Sequence, residues 1–143
     1  MEGKMPKIKL QKLNTYSYSI EIPVRITDIN YGGHLGNDSM VSILHEARFR
    51  FVQLFGFKDE VDAGIILQDL CIQFKAETFC NDKLTIDIAI GEMSKFSFRM
   101  FYKITSAGNL VALAETGLVF IDYSTKKLSN VPEKFIAYSK TVV

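Results

Sequence analysis

Residues 38–55 are the one long stretch of this chain whose apolar side chains fall at helical spacing, and from Ile66 to Ile121 they alternate with period two. Met40, Leu44, Ala47, Phe51, Val52 and Phe55 make the helical stripe, and Gly56 supplies a natural stop. Ahead of it, Tyr16, Tyr18, Ile20, Ile22 and Val24 alternate with Ser17, Ser19 and Glu21, and Pro23 marks that strand as an edge or a bend. Behind it come four strand patterns: Ile66, Leu70, Ile72 and Phe74; Leu84, Ile86, Ile88 and Ile90; Phe98, Met100, Tyr102 and Ile104; and residues 110–121. Turn signals at residues 79–82, 93–95 and 106–109 are short, which makes the last strands an antiparallel meander. A short C-terminal helix is expected over residues 132–138.

One strand, one long helix and four more strands bury their apolar faces together if the sheet curls around the helix, an α+β arrangement. Val41, Ile43 and Phe49 fall off the main helical stripe, so the helix is expected to be buried on most sides. The last strand is apolar on both faces, with Leu113, Val119 and Ile121 opposing Ala112, Leu118 and Phe120. A small sheet of that kind needs a second cover, and another copy of the chain is the simplest, so a homodimer or dimer of dimers is expected.

With 143 residues, 48% of them hydrophobic, the chain has room for one core, expected over residues 16–143 behind a flexible leader at residues 1–15. Its 17 basic and 16 acidic residues nearly cancel, which leaves no electrostatic footprint for nucleic acid or an anionic membrane. Lys4, Lys7, Lys9 and Lys12 precede no apolar run of the kind a signal peptide needs, and a cytoplasmic protein is expected. Cys71 and Cys80 lack CxxC spacing, and His34 and His45 are the only histidines, so no metal site and no resident cofactor are expected.

Reactive side chains concentrate at residues 28–37, Asp28-Ile29-Asn30-Tyr31-Gly32-Gly33-His34-Leu35-Gly36-Asn37, directly before the helix. The glycines let backbone come close to a ligand, and the first helical turn offers unpaired N–H groups that favour negative charge. Such a place suits the polarisation of a carbonyl. Asn37 also stands where a helix N-cap would, Asp28 can fix the loop by accepting backbone N–H bonds, and Glu46 can pair with Arg50 one turn on. The loop holds neither a P-loop nor GxGxxG, which argues against nucleotide chemistry.

Taken in order, Arg25-Ile26-Thr27-Asp28-Ile29-Asn30, Gly33-His34-Leu35-Gly36-Asn37, Glu46-Ala47-Arg48, Phe74 with Asn81-Asp82-Lys83-Leu84, Ser97-Phe98, Leu110-Val111-Ala112, Phe120-Ile121-Asp122 and Val131-Pro132-Glu133 resemble the hotdog-fold acyl thioesterases. The resemblance is to the group related to 4-hydroxybenzoyl-CoA thioesterases and the plant acyl-carrier-protein thioesterases. It implies a five-stranded antiparallel sheet around a central helix and hydrolysis of an acyl-CoA or acyl-carrier-protein thioester, with coenzyme A present only as part of the substrate. It also implies a pocket of Asp28, Gly33, Leu35, Gly36 and Asn37, completed by a neighbouring subunit, with oxyanion donors among the backbone N–H groups of Leu35, Gly36 and Asn37. Relatives that use a loop aspartate carry Asp-x-Asp, whereas this chain has Asn30 in the second slot. A neutral amide cannot act as base or carboxylate nucleophile. The resemblance therefore implies Asn30 and His34 as groups that position thioester and water, with Glu46 as base, and Asp28 or His34 as the other candidates for that role. The alternative is a protein of the same fold that binds acyl thioesters without hydrolysing them. The Asp-and-His loop signature of hotdog dehydratases is absent.

Overall fold

The computed structural model describes residues 3–141, so the first two residues of the expected leader and the last two of the expected domain lie outside the described residues. The elements run β1 (Tyr18–Pro23), a single 3-10 turn (Ile26–Asp28), α1 (Asn37–Gln53), α2 (Glu60–Ala63), β2 (Ile65–Phe74), β3 (Lys83–Gly91), β4 (Ser97–Ser106), β5 (Asn109–Asp122), β6 (Lys127–Leu128) and α3 (Glu133–Thr141). The strands pair antiparallel in the order β1-β3-β4-β5-β2, with β6 added to the far end of β5. Pro23, at the end of β1, therefore sits in an edge strand, where its missing N–H costs the ladder nothing.

The inner face of the sheet is a grid of cross-strand pairs. Ile86 stands opposite Ile104 and Ile104 opposite Ala112, and the rows Ile88–Tyr102–Ala114 and Ile90–Met100–Thr116 follow beside them. Met40, Ile43, Leu44, Ala47, Phe51 and Val52 of α1 are buried against this face, each large side chain worth about 1.5–3 kcal/mol on removal from water. At the far end of α1, Phe51 and Phe55 join Phe135 and Tyr138 of α3 and Phe98 and Phe120 of the sheet in an aromatic cluster with ring centroids 4.2–6.5 Å apart. Arg48 is the charged exception in the buried stripe, 5% exposed, with its Nε donating to Glu60 Oε1 of α2 at 3.2 Å.

Three expectations change. The helix is buried along one side only: Val41, Ser42, His45, Glu46 and Gln53 are exposed, because the sheet wraps one face of α1 within the chain. Ile66 does not share a face with Leu70, Ile72 and Phe74, since a β-bulge between Leu67 and Asp69 absorbs one residue and turns Ile66 toward Val119 on the outer face. The second cover over β5 comes partly from the chain itself. Outer-face Leu113 is 4% exposed and lies in the row Gln73–Leu113–Lys103–Asp87. Across that row the Leu10 N–H donates to Gln73 Oε1 at 3.2 Å, the Leu13 N–H to the Tyr16 hydroxyl at 3.0 Å, and Lys103 Nζ stands 5.0 Å from the centre of the Tyr16 ring. The second half of the leader is thus laid over the sheet. Among the described residues no helix is long and apolar enough to cross a membrane.

Candidate active site

Residues 29–36 close on themselves before α1 begins. The Asn30 N–H donates to His34 O at 2.9 Å and the Gly33 N–H to Asn30 O at 3.0 Å, while Ile29 and Leu35 form an isolated antiparallel bridge. Gly33 takes φ +84°, a conformation a side chain resists, which lets the loop reverse there. Gly36 has an ordinary φ of −71°, and a Cβ there would meet Asp38 Oδ1, the end of an exposed side chain, and lie 3.5 Å from Asn30 Cβ.

Below the loop, the Arg25 N–H donates to Asp28 Oδ2 at 2.8 Å, and the Arg25 guanidinium bonds both carboxylate oxygens. Burial would raise the Asp28 carboxyl, but these bonds outweigh it and hold it below the ordinary carboxylate range. The Gly36 N–H in turn donates to Asp28 O at 3.0 Å. Asp28 is therefore the strut of the loop, 4% exposed and outside the cavity lining. A depressed carboxyl contributes stability above its unfolded pKa, and that contribution disappears as pH falls below about 3.9 and through the folded value. Asp28→Asn is expected to lower stability at neutral pH by about 1–3 kcal/mol and to flatten the acid limb. Urea midpoints at neutral and acid pH read both effects, and an unchanged acid limb would remove Asp28 as its source.

A cavity of about 710 Å³ opens between this loop, the start of α1, and the β2–β3 connection. Asn30, His34, Leu35 and Asn37 line it, as do Tyr31, Asp38, Met40, Phe74, Lys75, Ala76, Glu77, Thr78 and Val111. Asn30 Oδ1 is committed to the loop, accepting from the Gly32 N–H at 2.9 Å and the His34 N–H at 3.4 Å, so its Nδ2 keeps both donor hydrogens for a ligand. His34 Nδ1 lies 3.2 Å from Leu35 O, which can only accept, so the neutral ring carries its proton on Nδ1 and its lone pair on Nε2. Nε2 is 3.8 Å from Glu77 Oε1, on the opposite wall.

Of the backbone donors expected, two are spent. The Leu35 N–H holds Thr78 O at 2.8 Å and the Gly36 N–H holds Asp28 O, which leaves the Asn37 N–H as the one of the three without a partner. Nor is Asn37 the N-cap. It already has helical conformation as the first residue of α1, so extended Gly36 takes the cap position, and Asn37 Oδ1 accepts from the Asp38 N–H at 2.9 Å. Glu46 does not meet Asn30 and His34 within the chain: it faces Arg50 Nη2 at 3.6 Å and lines a separate hollow with Ser42, Ile43 and Arg25. Gly33 and Gly36 shape the loop without lining the cavity. The wall formed by residues 75–78 is not legible in the sequence, where no periodicity marks it; its one hint is its place between Phe74 and Asn81, both of which the resemblance uses.

The sequence profile of the thioesterase-like superfamily matches residues 24–138, which span the loop, α1, strands β2 to β6 and most of α3. The chain belongs to that superfamily. A relative from Microcystis aeruginosa, a 1,4-dihydroxy-2-naphthoyl-CoA hydrolase, is 33% identical over 116 residues, covering 77% of this chain and 83% of its own. A 1,4-dihydroxy-2-naphthoyl-CoA thioesterase structure from Synechocystis superposes with a TM-score of 0.76 at 22% identity, over 86% of this chain and 95% of the other. A gentisyl-coenzyme A thioesterase structure gives 0.75 at 19% identity, over 85% and 99%. The fold of this thioesterase is the hotdog fold, and its family chemistry is thioester hydrolysis.

Proposed function

We propose that this thioesterase hydrolyses an acyl-CoA thioester in the cavity between the loop and α1, with water attacking the carbonyl carbon and His34 Nε2 taking the proton. Asn30 Nδ2 and the Asn37 N–H hold the oxyanion, and each such donor contributes about 2.7–4 kcal/mol to the transition state. When the C–S bond breaks, the proton returns from Nε2 to the leaving thiolate. Glu77 stabilises the imidazolium that forms between the two steps. The observation that carries this reading is the orientation of His34: Nδ1 is engaged with Leu35 O, which turns the lone pair of Nε2 to the cavity, opposite a carboxylate. Coenzyme A enters as the leaving half of the substrate, and the steps call on no other cofactor. The relatives' coenzyme A substrates favour it over a carrier protein as thiol donor.

The working unit in this reading is a homodimer. β2 ends the sheet with one edge unpaired, and Ile66, Leu67 and Phe74 on it are exposed beside exposed Val41 of α1. A long apolar edge of this kind favours pairing with its own copy. Two free cysteines, half-buried, favour the cytoplasm.

The test is thiol release from a panel of acetyl-, benzoyl- and palmitoyl-CoA by the wild type, Glu77→Gln and Glu46→Gln. Turnover by the wild type, a drop of about tenfold or more in Glu77→Gln, and little change in Glu46→Gln are expected. Loss confined to Glu46→Gln would return the base to the helix.

A further inference from the structure

Only the second half of the leader is held by its own chain. The Leu13 N–H meets the hydroxyl of Tyr16, whose ring lies beside Lys103 of β4, and three residues earlier the Leu10 N–H meets Gln73 of β2. Followed back toward the N-terminus, the leader therefore crosses the outer face from β4 past β5 to β2, the strand with the unpaired edge. Residues 3–9 come next. All of them are exposed, Met5 at 77% and Ile8 at 67%, and among the described residues none makes a hydrogen bond or ion pair with the chain. Pro6 fixes its own φ and keeps Met5 out of the helical region, so the segment stays extended. At about 3.3 Å per residue it reaches roughly 23 Å, nearly the width of five strands set about 4.8 Å apart.

In a homodimer joined at the β2 edges, the surface beyond that edge is the outer face of the second copy. Two identical strands pair antiparallel about a two-fold axis, and residues directly opposite each other share a face. The outer face at Gln73 therefore continues onto the outer face of the partner's β2, which carries Asp69 and Cys71. The charges match as well. Residues 1–15 set Lys4, Lys7, Lys9 and Lys12 against Glu2 alone, and the rest of the chain holds more acidic than basic residues. On the outer face Asp69 and Glu115 share the one Arg99, at 2.9 and 2.7 Å, which leaves that group negative, and the Asp69 side chain is half exposed. Within the chain, and among the described residues, no leader lysine pairs with it. We infer that residues 3–9 are a strap between subunits, crossing the seam of the β2 edges to lay their lysines over the partner's Asp69 and Glu115. Symmetry places two straps in each dimer. This inference rests on the dimer reading.

Sedimentation equilibrium reads the dimer dissociation constant of the full chain, of a variant lacking residues 2–9, and of one combining Lys4→Gln, Lys7→Gln and Lys9→Gln. Residues 3–9 bond to nothing in their own chain, so circular dichroism of both variants is expected to match the wild type. The wild-type dimer is expected to loosen about tenfold between about 50 mM and about 500 mM salt, as exposed ion pairs are screened. At the lower salt both variants are expected to dimerise about tenfold more weakly than the wild type, and to lose most of the salt dependence. Variants that dimerise as tightly as the wild type would overturn the strap and leave the dimer standing. So would variants that gather into larger assemblies, since the leader would then be a shield over its own sheet. A wild type that stays monomeric at every concentration would remove the dimer reading itself, and the strap with it.

Discussion

His34→Gln is expected to lower thioester turnover by about 100- to 10,000-fold, the range for loss of a positioned proton acceptor, while leaving the fold and much of the substrate affinity in place. The ring is one-third exposed and its side chain makes a single hydrogen bond, to Leu35 O, so little packing is lost with it. Glutamine has no lone pair basic enough to take the proton of water, whatever its geometry. Circular dichroism and the melting temperature check the fold; steady-state kinetics on the best acyl-CoA of the panel check the chemistry. The loss should appear in kcat more than in KM, because the proton moves only as the transition state forms. A folded variant within twofold of the wild type would remove His34 from the reaction and leave the cavity carboxylates as the remaining bases.

The second large effect concerns stability. Glu60→Ala is expected to destabilise the protein by about 3–5 kcal/mol, the range for stranding one partner of a buried ion pair. Arg48 and Glu60 side chains are 5% and 15% exposed, so the guanidinium left behind could not reach water without opening the contact between α1 and the sheet. Glu60 also stands 3.8 Å from His45 Nε2, which makes it the point where α2 is fastened to α1 just before β2 begins. Urea unfolding measures the loss. The double variant Arg48→Met with Glu60→Ala should recover most of it, since an apolar pair of similar volume removes the stranded charge. A single variant within about 1 kcal/mol of the wild type would mean that the pair is solvated in solution.

Much of the architecture was legible because it is local. Helical spacing in residues 38–55 and alternation in four later segments are properties of neighbouring side chains, and they place α1 and the strands β2 to β5 to within a few residues. What periodicity passed over were devices of one to four residues: the bulge in β2, the four-residue α2 and the two-residue β6. Each is decided by what lies across from it. Ile66 falls in step with Leu70, Ile72 and Phe74 by spacing alone, and only the ladder with β5 turns it outward.

The loop of residues 28–37 was equally visible as a place, and the sequence alone named Asn30, His34, Leu35 and Asn37, which do line one cavity. Their roles were not legible. Whether a backbone N–H is free depends on which carbonyl arrives from elsewhere in the chain, and Thr78 and Asp28 take those of Leu35 and Gly36. The same long-range contact brings Glu77 to His34, while the turn of α1 directs Glu46 to Arg50 instead. Sequence by itself determined the elements, the reactive loop and the family, because short-range patterns and residue identities carry them. Tertiary structure decided which donors, acceptors and charges remain for a substrate, because a hydrogen-bonding group is available only when the rest of the fold has left it unpaired.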